Sequence, residues 1–311
     1  MGWQGVRKMG YEEYQGLTRE ETIALPWMHY LYWDGSHNVV VCDRARRGIV
    51  HLIGAPQDPN WPKVHAEAAR VIDKGREACK FNSGQVNHIR GAFPAEAIGY
   101  SHGGGQIEPS NTQHSVRNLK VLNVILANPA VQHISGIANS AYKCYCPNMY
   151  EHFKVNDEAL RQWKPSLRQN FPKSVFAATT INFGPETITN IHVDSRNSAP
   201  ASCAVTSLGP FNSHHGGEIV LWNLGLIVRF PPGCTLLLPS ALIVHLNLAI
   251  QPGEQRFSIT QYSAATLSRF VENGFCNDVD ILDGSDSTAK EALLSACKTR
   301  WKKALDCYRV W

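Results

Sequence analysis

Two patterns of apolar residues divide this chain. In the first half the short runs are mixed. HNVVVCDRARRGIVHLIG places two β-branched runs around a polar turn ending at Gly48, which predicts a β-hairpin. NWPKVHAEAARVIDKGREACK predicts a helix, with Asn60 as N-cap, Pro62 in the first turn and Val64, Ala68, Val71 and Ile72 on one face. The glycine-rich stretch from Pro94 to Asn111 reads as loop. Helical spacing returns from Asn128 to Trp163, where Ile134, Ile137, Ala138, Ala141, Tyr142 and Tyr145 form a stripe broken at Pro147.

Beyond that point the period becomes two. SVFAATTINF, TITNIHV, ASCAVTSL, GEIVLWNL, GLIVRF, CTLLLPS, LIVHLNLAI and RFSITQYS are candidate strands, most of them separated by Gly, Pro or Asn turns. Eight short strands after a helical block predict an α+β fold: a double-stranded β-helix (jelly-roll) core buttressed by N-terminal helices. The tail, STAKEALLSACKTRWKKALDCYRVW, predicts a basic C-terminal helix. It should open on a capping box from Thr288 to Glu291 and carry Leu293, Cys297, Trp301 and Leu305 on one side. With no repeat or low-complexity linker, one domain over 1–311 is expected. Its parts are an extension over 1–127, buttressing helices over 128–170, the jelly-roll over 174–268 and the terminal helix over 285–308.

Composition changes this picture little. The chain has 311 residues, 43% hydrophobic and 18% charged, which is ordinary for a globular protein able to bury a core. No apolar run reaches membrane-spanning length. The opening MGWQGVRKMGYEEYQG lacks a leader-like apolar stretch, and Val6 stands where myristoylation would want Ser or Thr. A soluble intracellular protein without a membrane partner is therefore expected. Nine scattered cysteines fit free thiols. A net charge of +4 permits a nucleic-acid partner through a local patch but does not argue for one.

The candidate chemistry lies in the strand-rich half. His192 and Asp194, two apart in TITNIHVD, face the same side of a strand and can bind one ion. His245, on a late strand, is the natural third ligand. Two histidines and one carboxylate on a single face leave coordination positions open, which suits Fe(II) binding a bidentate 2-oxo acid and then O2. A His-x-Asp pair alone arises easily by chance among 13 histidines, and His192 at a strand end with His245 in the core is the plain alternative. Arg256, at the start of the strand after His245, tips the balance. Its planar fork matches the distal carboxylate of 2-oxoglutarate, and Ser258 faces the same way to add a hydrogen bond.

Other polar clusters read as structure. His214 and His215 precede two glycines in a turn. Cys144 and Cys146, near His133 and His152, point their thiols apart on a helix. GGGQ is not followed by a phosphate-loop Lys-Ser/Thr. Arg44, Arg46 and Arg47, and Lys298, Arg300, Lys302 and Lys303, are basic clusters that read first as solvated surface and second as DNA contacts.

From about Trp33 to Phe275 the chain resembles the fungal branch of the TET/JBP family of Fe(II)/2-oxoglutarate-dependent DNA dioxygenases. The matching segments are RGAFPAEAIGYSHGGGQIEPSN, HVDSRN, CAVTSLGPF, GGEIVLWNLGLIVRFPPGCTLLLPSALIVH and QPGEQRFSITQYSA. The resemblance implies oxidation of 5-methylcytosine in DNA to 5-hydroxymethylcytosine and onward to formyl- and carboxylcytosine. It implies Fe(II) held by His192, Asp194 and His245, 2-oxoglutarate on Arg256, O2 as oxidant, ascorbate as stimulant, and a nuclear location taken from the substrate class. Asn197 completes H-x-D-x-x-N, where these enzymes place a base-contacting Asn. Gly104, Gly105 and Gln106 of the GGGQ loop are candidate substrate contacts.

One departure stands out: Ala264 occupies the position at which animal members carry a base-reading His. Together with the similarity of Phe183-Gly184-Pro185 before the H-x-D to AlkB-type demethylases, this keeps N6-methyladenine in DNA as a second substrate. A methylated duplex with its target base flipped out is the expected partner. A protein or small-molecule hydroxylase, and a non-catalytic DNA-binding relative, are the other classes left open.

Overall fold

The computed structural model describes residues 11–311. The expectations about a leader or a myristoylated glycine fall on the first ten residues and lie outside the described ones. The first helix, α1 (Arg19–Ile23), is started by a capping box: Thr18 accepts from the Glu21 amide, and Glu21 takes the Thr18 amide. After β1 (His29–Leu31), the expected hairpin forms from β2 (Val39–Cys42) and β3 (Gly48–Ile53), antiparallel with a bulge between Val41 and Cys42. The predicted helix follows as α2 (Trp61–Ala78), with Pro62 in its first turn. Asn60 precedes it but makes no side-chain cap, because the backbone there is already helical.

Next come α3 (Ser83–Val86), the tight hairpin β4 (Asn87–His88) and β5 (Gly91–Ala92), then β6 (Ala95–Ser101) and β7 (Ser110–Asn111). The loop expected over Pro94–Asn111 is thus too long, since its first third is a strand. Glu96, Ile98 and Tyr100 are all buried at alternate positions, but the leading glutamate hides the period in the sequence. Its carboxylate is satisfied by Gln85 and by Asn118 Nδ2 at 2.8 Å. Gly99, at φ 125°, lies so close to Ala177 that a Cβ would meet its carbonyl oxygen.

Three helices then run in succession: α4 (Val116–Ala127), α5 (Pro129–Tyr145) and α6 (Pro147–Trp163). The last two break at Cys146–Pro147 as the sequence implied, whereas α4 was not expected. Ser115 caps it, and Leu122, Ile125 and Leu126 are buried. Among the described helices, no single one is long and apolar enough to cross a membrane.

The remaining strands are β8 (Ala178–Asn182), β9 (Cys203–Leu208), β10 (Ile219–Leu221), β11 (Leu226–Val228), β12 (Thr235–Leu238), β13 (His245–Asn247) and β14 (Phe257–Tyr262). They divide between two sheets. One has the order β2-β3-β12-β9-β14-β8-β6-β7, the other β1-β11-β10-β13. The eighth candidate, TITNIHV, forms only an antiparallel bridge between His192 and His245, which places it at the open edge of the smaller sheet beside β13. Taken in chain order, the chain winds back and forth between the sheets in the manner of a double-stranded β-helix.

The larger sheet has two chemically different faces. Ile181, Leu208, Phe257 and Ile259 pack outward against Ala68, Ile72, Leu122, Ile125 and Ile134 of α2, α4 and α5. The alternate residues Thr180, Asn182, Ser258 and Thr260 turn inward and line a cavity between the sheets. The helices therefore fix the sheet from outside and leave its polar face free for chemistry.

The chain closes with α7 (Ala265–Glu272), α8 (Asp278–Asp283) and α9 (Ser287–Asp306). The C-terminal helix is present, but its cap is Asp286, which accepts from the Thr288 and Ala289 amides, and not a Thr288–Glu291 box. Nor is the expected stripe its buried side. Leu293 and Arg300 are buried, while Trp301 is 56% exposed. Residues spaced by four drift about 40° per step around a helix, whereas a spacing of seven nearly returns to the same face. Arg300, paired with Glu272 at 3.4 Å, is therefore not a surface contact for DNA.

Candidate active site

The bridge that holds TITNIHV against β13 also sets two imidazoles side by side. The His192 amide donates to the His245 carbonyl at 3.1 Å and the His245 amide to the His192 carbonyl at 3.0 Å. Their rings stand 4.3 Å apart between centroids. In each, Nδ1 meets a carbonyl two residues back: Asn190 O at 2.7 Å and Ile243 O at 2.8 Å. A carbonyl oxygen only accepts, so both Nδ1 atoms carry the proton and both Nε2 lone pairs are free for a metal ion.

Asp194 is anchored by its amide to Ser240 O at 2.8 Å. Its Oδ1 accepts from Arg90 Nε at 2.9 Å. One ligand atom from each of His192, Asp194 and His245 lies within 4.8 Å of the others, and no other such group occurs among the described residues.

The electrostatics suit a cation. Burial, then the neighbouring His245, pushes His192 down to about 3, and burial also lowers His245. Burial alone would raise the Asp194 carboxyl, but Arg90 and then the two histidines outweigh it and hold it well below the usual range. Two neutral imidazoles and an ionised carboxylate are the protonation states that metal binding requires.

Arg256 enters the same cavity from the larger sheet. Its amide donates to Pro185 O at 2.7 Å, and its carbonyl accepts from Thr187 Oγ1 at 2.9 Å, which fixes the backbone. The guanidinium is buried at 3% exposure, with Nη1 on Thr187 O at 3.1 Å and Phe211 stacked 5.9 Å away. Nε has no partner. Burial lowers its pKa to about 10, against the opposing pull of Glu218. A charged guanidinium with no carboxylate in contact is costly to bury, and an anionic ligand would offset that cost. Ser258 Oγ accepts from Asn182 Nδ2 at 2.7 Å, leaving its own proton to donate into the cavity.

Asn197 is buried and lines the cavity too. Its Nδ2 donates to Ser240 Oγ at 3.0 Å, so its carbonyl oxygen stays available, and its backbone bridges to Ala264. The cavity has a volume of about 70 Å³.

Gly104, Gly105 and Gln106 do not line it. The loop is tied instead to α7, where Thr266 Oγ1 donates to His102 O, and it borders a separate depression that it shares with α7. Gln106 turns its amide onto Ser110 Oγ at 2.6 Å. Gly104 approaches the metal-site segment: a Cβ there would lie 3.8 Å from Arg196 Nη1.

The residue that sequence reasoning missed is Arg90. It opens the segment RGAFPAEAIG that carried the resemblance, yet nothing local in the sequence ties an arginine to a carboxylate 104 positions away. Asn247 was missed as well. Its amide donates to Thr187 O at 2.6 Å and accepts from Thr189 Oγ1 at 2.8 Å, bracing the segment that leads to His192. The clusters read as structural stay apart from this site. Cys144 is exposed and Cys146 buried, and Arg47 is paired with Asp43 at 2.6 Å.

No family model matches the chain, and no curated protein does. Among solved structures, it is similar to NgTET1 in complex with 5mC DNA, at 13% identity over 76% of this chain and 82% of that one, with a TM-score of 0.44. It is also similar to an oxidoreductase of the 2OG-Fe(II) oxygenase family from Burkholderia pseudomallei, at 17% identity over 63% of this chain and 77% of that one, TM-score 0.35. A third is the viral collagen prolyl hydroxylase of Paramecium Bursaria Chlorella virus-1 in its 2OG complex, at 15% identity over 34% of this chain and 68% of that one, TM-score 0.23.

Proposed function

We propose that this chain is an Fe(II)- and 2-oxoglutarate-dependent dioxygenase that oxidises the methyl group of 5-methylcytosine in DNA. The observation that carries the reading is the pairing, in one cavity, of a His192–Asp194–His245 face with the buried and otherwise unpaired Arg256. The two Nε2 atoms and the Asp194 carboxylate would hold the iron, which when bound supplies the activation of O2 at the expense of the 2-oxo acid. Arg256 and the Ser258 hydroxyl would bind the distal carboxylate of 2-oxoglutarate and so orient its keto-acid end toward the metal. Ascorbate would keep the iron reduced.

The substrate class rests on the TET/JBP-like motifs and agrees with the DNA bound by the similar NgTET1 structure. The target methyl must reach the interior of the β-helix, which requires the nucleotide to leave the duplex stack. Asn197, with a free carbonyl oxygen inside the cavity, is the group we assign to the base edge. N6-methyladenine is the second reading. It is favoured by Ala264, which stands across the bridge from Asn197 and offers no polar group to select cytosine. Genomic DNA as substrate would place the protein in the nucleus.

Nucleoside mass spectrometry tests this directly, using the protein, Fe(II), 2-oxoglutarate and ascorbate with duplex DNA carrying both methylated bases. Conversion of 5-methylcytosine, abolished by Asp194→Ala, is the expected result. Succinate formed while both bases survive would retain the dioxygenase and remove DNA as its substrate.

A further inference from the structure

We infer that Arg196 and the bare Gly104–Gly105 turn form a clamp for a nucleic-acid phosphate, set beside the cavity on the Asn197 side; this rests on the DNA reading above. Arg196 lies between Asp194 and Asn197, is exposed, and its side chain makes no hydrogen bond or ion pair among the described residues. Its guanidinium comes up to the glycine loop, with Nη1 3.8 Å from where a Gly104 Cβ would sit; Arg269 and Asp278, which line the depression on the far side, are paired with each other at 2.9 Å. Gly103, Gly104 and Gly105 take φ values of 123°, 63° and 90°, and nothing lies within 4 Å of a Cβ at Gly105. Successive glycines in such conformations present their backbone amides without side-chain cover, and a concave run of amides favours an anion.

The two halves are held by one rigid element, the first turn of α7. The Ala265 amide donates to Arg196 O at 2.9 Å, while Thr266 Oγ1 donates to His102 O at the root of the loop. Gln106 closes the turn through its amide to Gly103 O at 3.3 Å. Behind the loop His102, which borders the same depression, is only 8% exposed, and its buried Nε2 has no partner. The neighbouring residue to Arg196, Asn197, faces the cavity. A nucleotide whose base lies against Asn197 therefore carries its backbone past Arg196, where a guanidinium and unshielded amides meet a phosphate oxygen. This gives the GGGQ loop a role in gripping the strand and not in lining the pocket.

The test is fluorescence anisotropy of a labelled duplex containing 5-methylcytosine, titrated with protein at several KCl concentrations. Arg196→Gln should weaken binding about tenfold at low salt and lower the slope of log K against log[salt] by about one unit, as loss of one phosphate contact requires. Arg196→Lys should restore most of the slope. Gly104→Asn and Gly104→Asp both tolerate a positive φ, so their difference isolates charge: Asp should weaken binding several-fold more than Asn. Wild-type oxidation of DNA with an unchanged slope in Arg196→Gln, or equal binding by the two Gly104 variants, would overturn the clamp and leave the function standing. Absence of any salt-dependent DNA binding by the wild-type protein would overturn both.

Discussion

Arg90 Nε donates to Asp194 Oδ1 across 2.9 Å, and a two-residue turn between β4 and β5 delivers it there. The same turn is docked on the segment leading to His192, because the Asn190 amide donates to Arg90 O at 2.7 Å. With Oδ1 engaged, Asp194 has one oxygen to offer an ion. Such outer contacts set the orientation of a ligand, and losing one typically costs 10- to 100-fold in metal affinity. Arg90→Gln is therefore expected to weaken Mn(II) or Co(II) binding by about that range, measured calorimetrically, with Arg90→Lys intermediate. An unaltered affinity in the Gln variant would mean that the amide of Asp194 on Ser240 positions the carboxylate unaided.

Arg256 leads to a prediction with opposite signs in two states. Without its ligand it is a buried cation lacking an ion pair, so Arg256→Met should raise the melting temperature of the free protein. With its ligand it is the anchor of the co-substrate. In wild type, 2-oxoglutarate at about one hundred times its Kd should add about 2.7 kcal/mol of stability, and in Arg256→Met that shift should vanish while KM for 2-oxoglutarate rises about 10- to 100-fold. A variant that melts lower than wild type in both states would show that the guanidinium serves the fold through Thr187 and Phe211 instead.

How far the sequence carried depends on the range of the interaction. Strand period two placed His192, Asp194, Arg256 and Ser258 on facing surfaces, and the same alternation explains why Phe257 and Ile259 meet the helices. The β6 strand was hidden because its pattern begins on Glu96, a charged residue that is buried only thanks to partners far along the chain. Arg90 was hidden for the same reason, since its partner is brought near only by the docking of a hairpin. The α9 stripe failed differently: its apolar residues repeat every four positions, and a helix does not keep such residues on one face. The GGGQ loop was noticed for its composition, but only the tether from Thr266 shows that it stops short of the cavity.

Metal loading should be visible as stability. The ligands hold the protonation states an ion needs, so Mn(II) at a hundredfold excess over its Kd is expected to raise the melting temperature, by linkage equivalent to about 2.7 kcal/mol. EDTA should reverse it. Asp194→Ala should abolish the shift, whereas His214→Ala, in the turn away from the site, should keep it. Retention of the full shift in Asp194→Ala would move the ion elsewhere.

Asn197 separates substrate recognition from oxygen chemistry. Its Nδ2 is committed to Ser240 Oγ at 3.0 Å, which fixes the amide and leaves the carbonyl oxygen facing the cavity. Its side chain makes no hydrogen bond to the proposed metal ligands or to Arg256, so truncating that side chain should fall on the base. Asn197→Ala is expected to lower kcat/KM for methylated DNA by roughly 10- to 100-fold, as loss of one hydrogen bond to a buried base edge implies. DNA-independent consumption of 2-oxoglutarate should fall much less. Ser240→Ala, which frees the amide to rotate, should reproduce part of the DNA defect, because an unfixed carboxamide presents its donor and acceptor interchangeably. Equal loss of both activities in Asn197→Ala would assign the side chain to the packing of the metal segment, since it is tied to Ser240, whose carbonyl takes the Asp194 amide at 2.8 Å. The size of the gap between the two activities therefore measures how much of base recognition passes through one side chain, with Ala264 opposite contributing none.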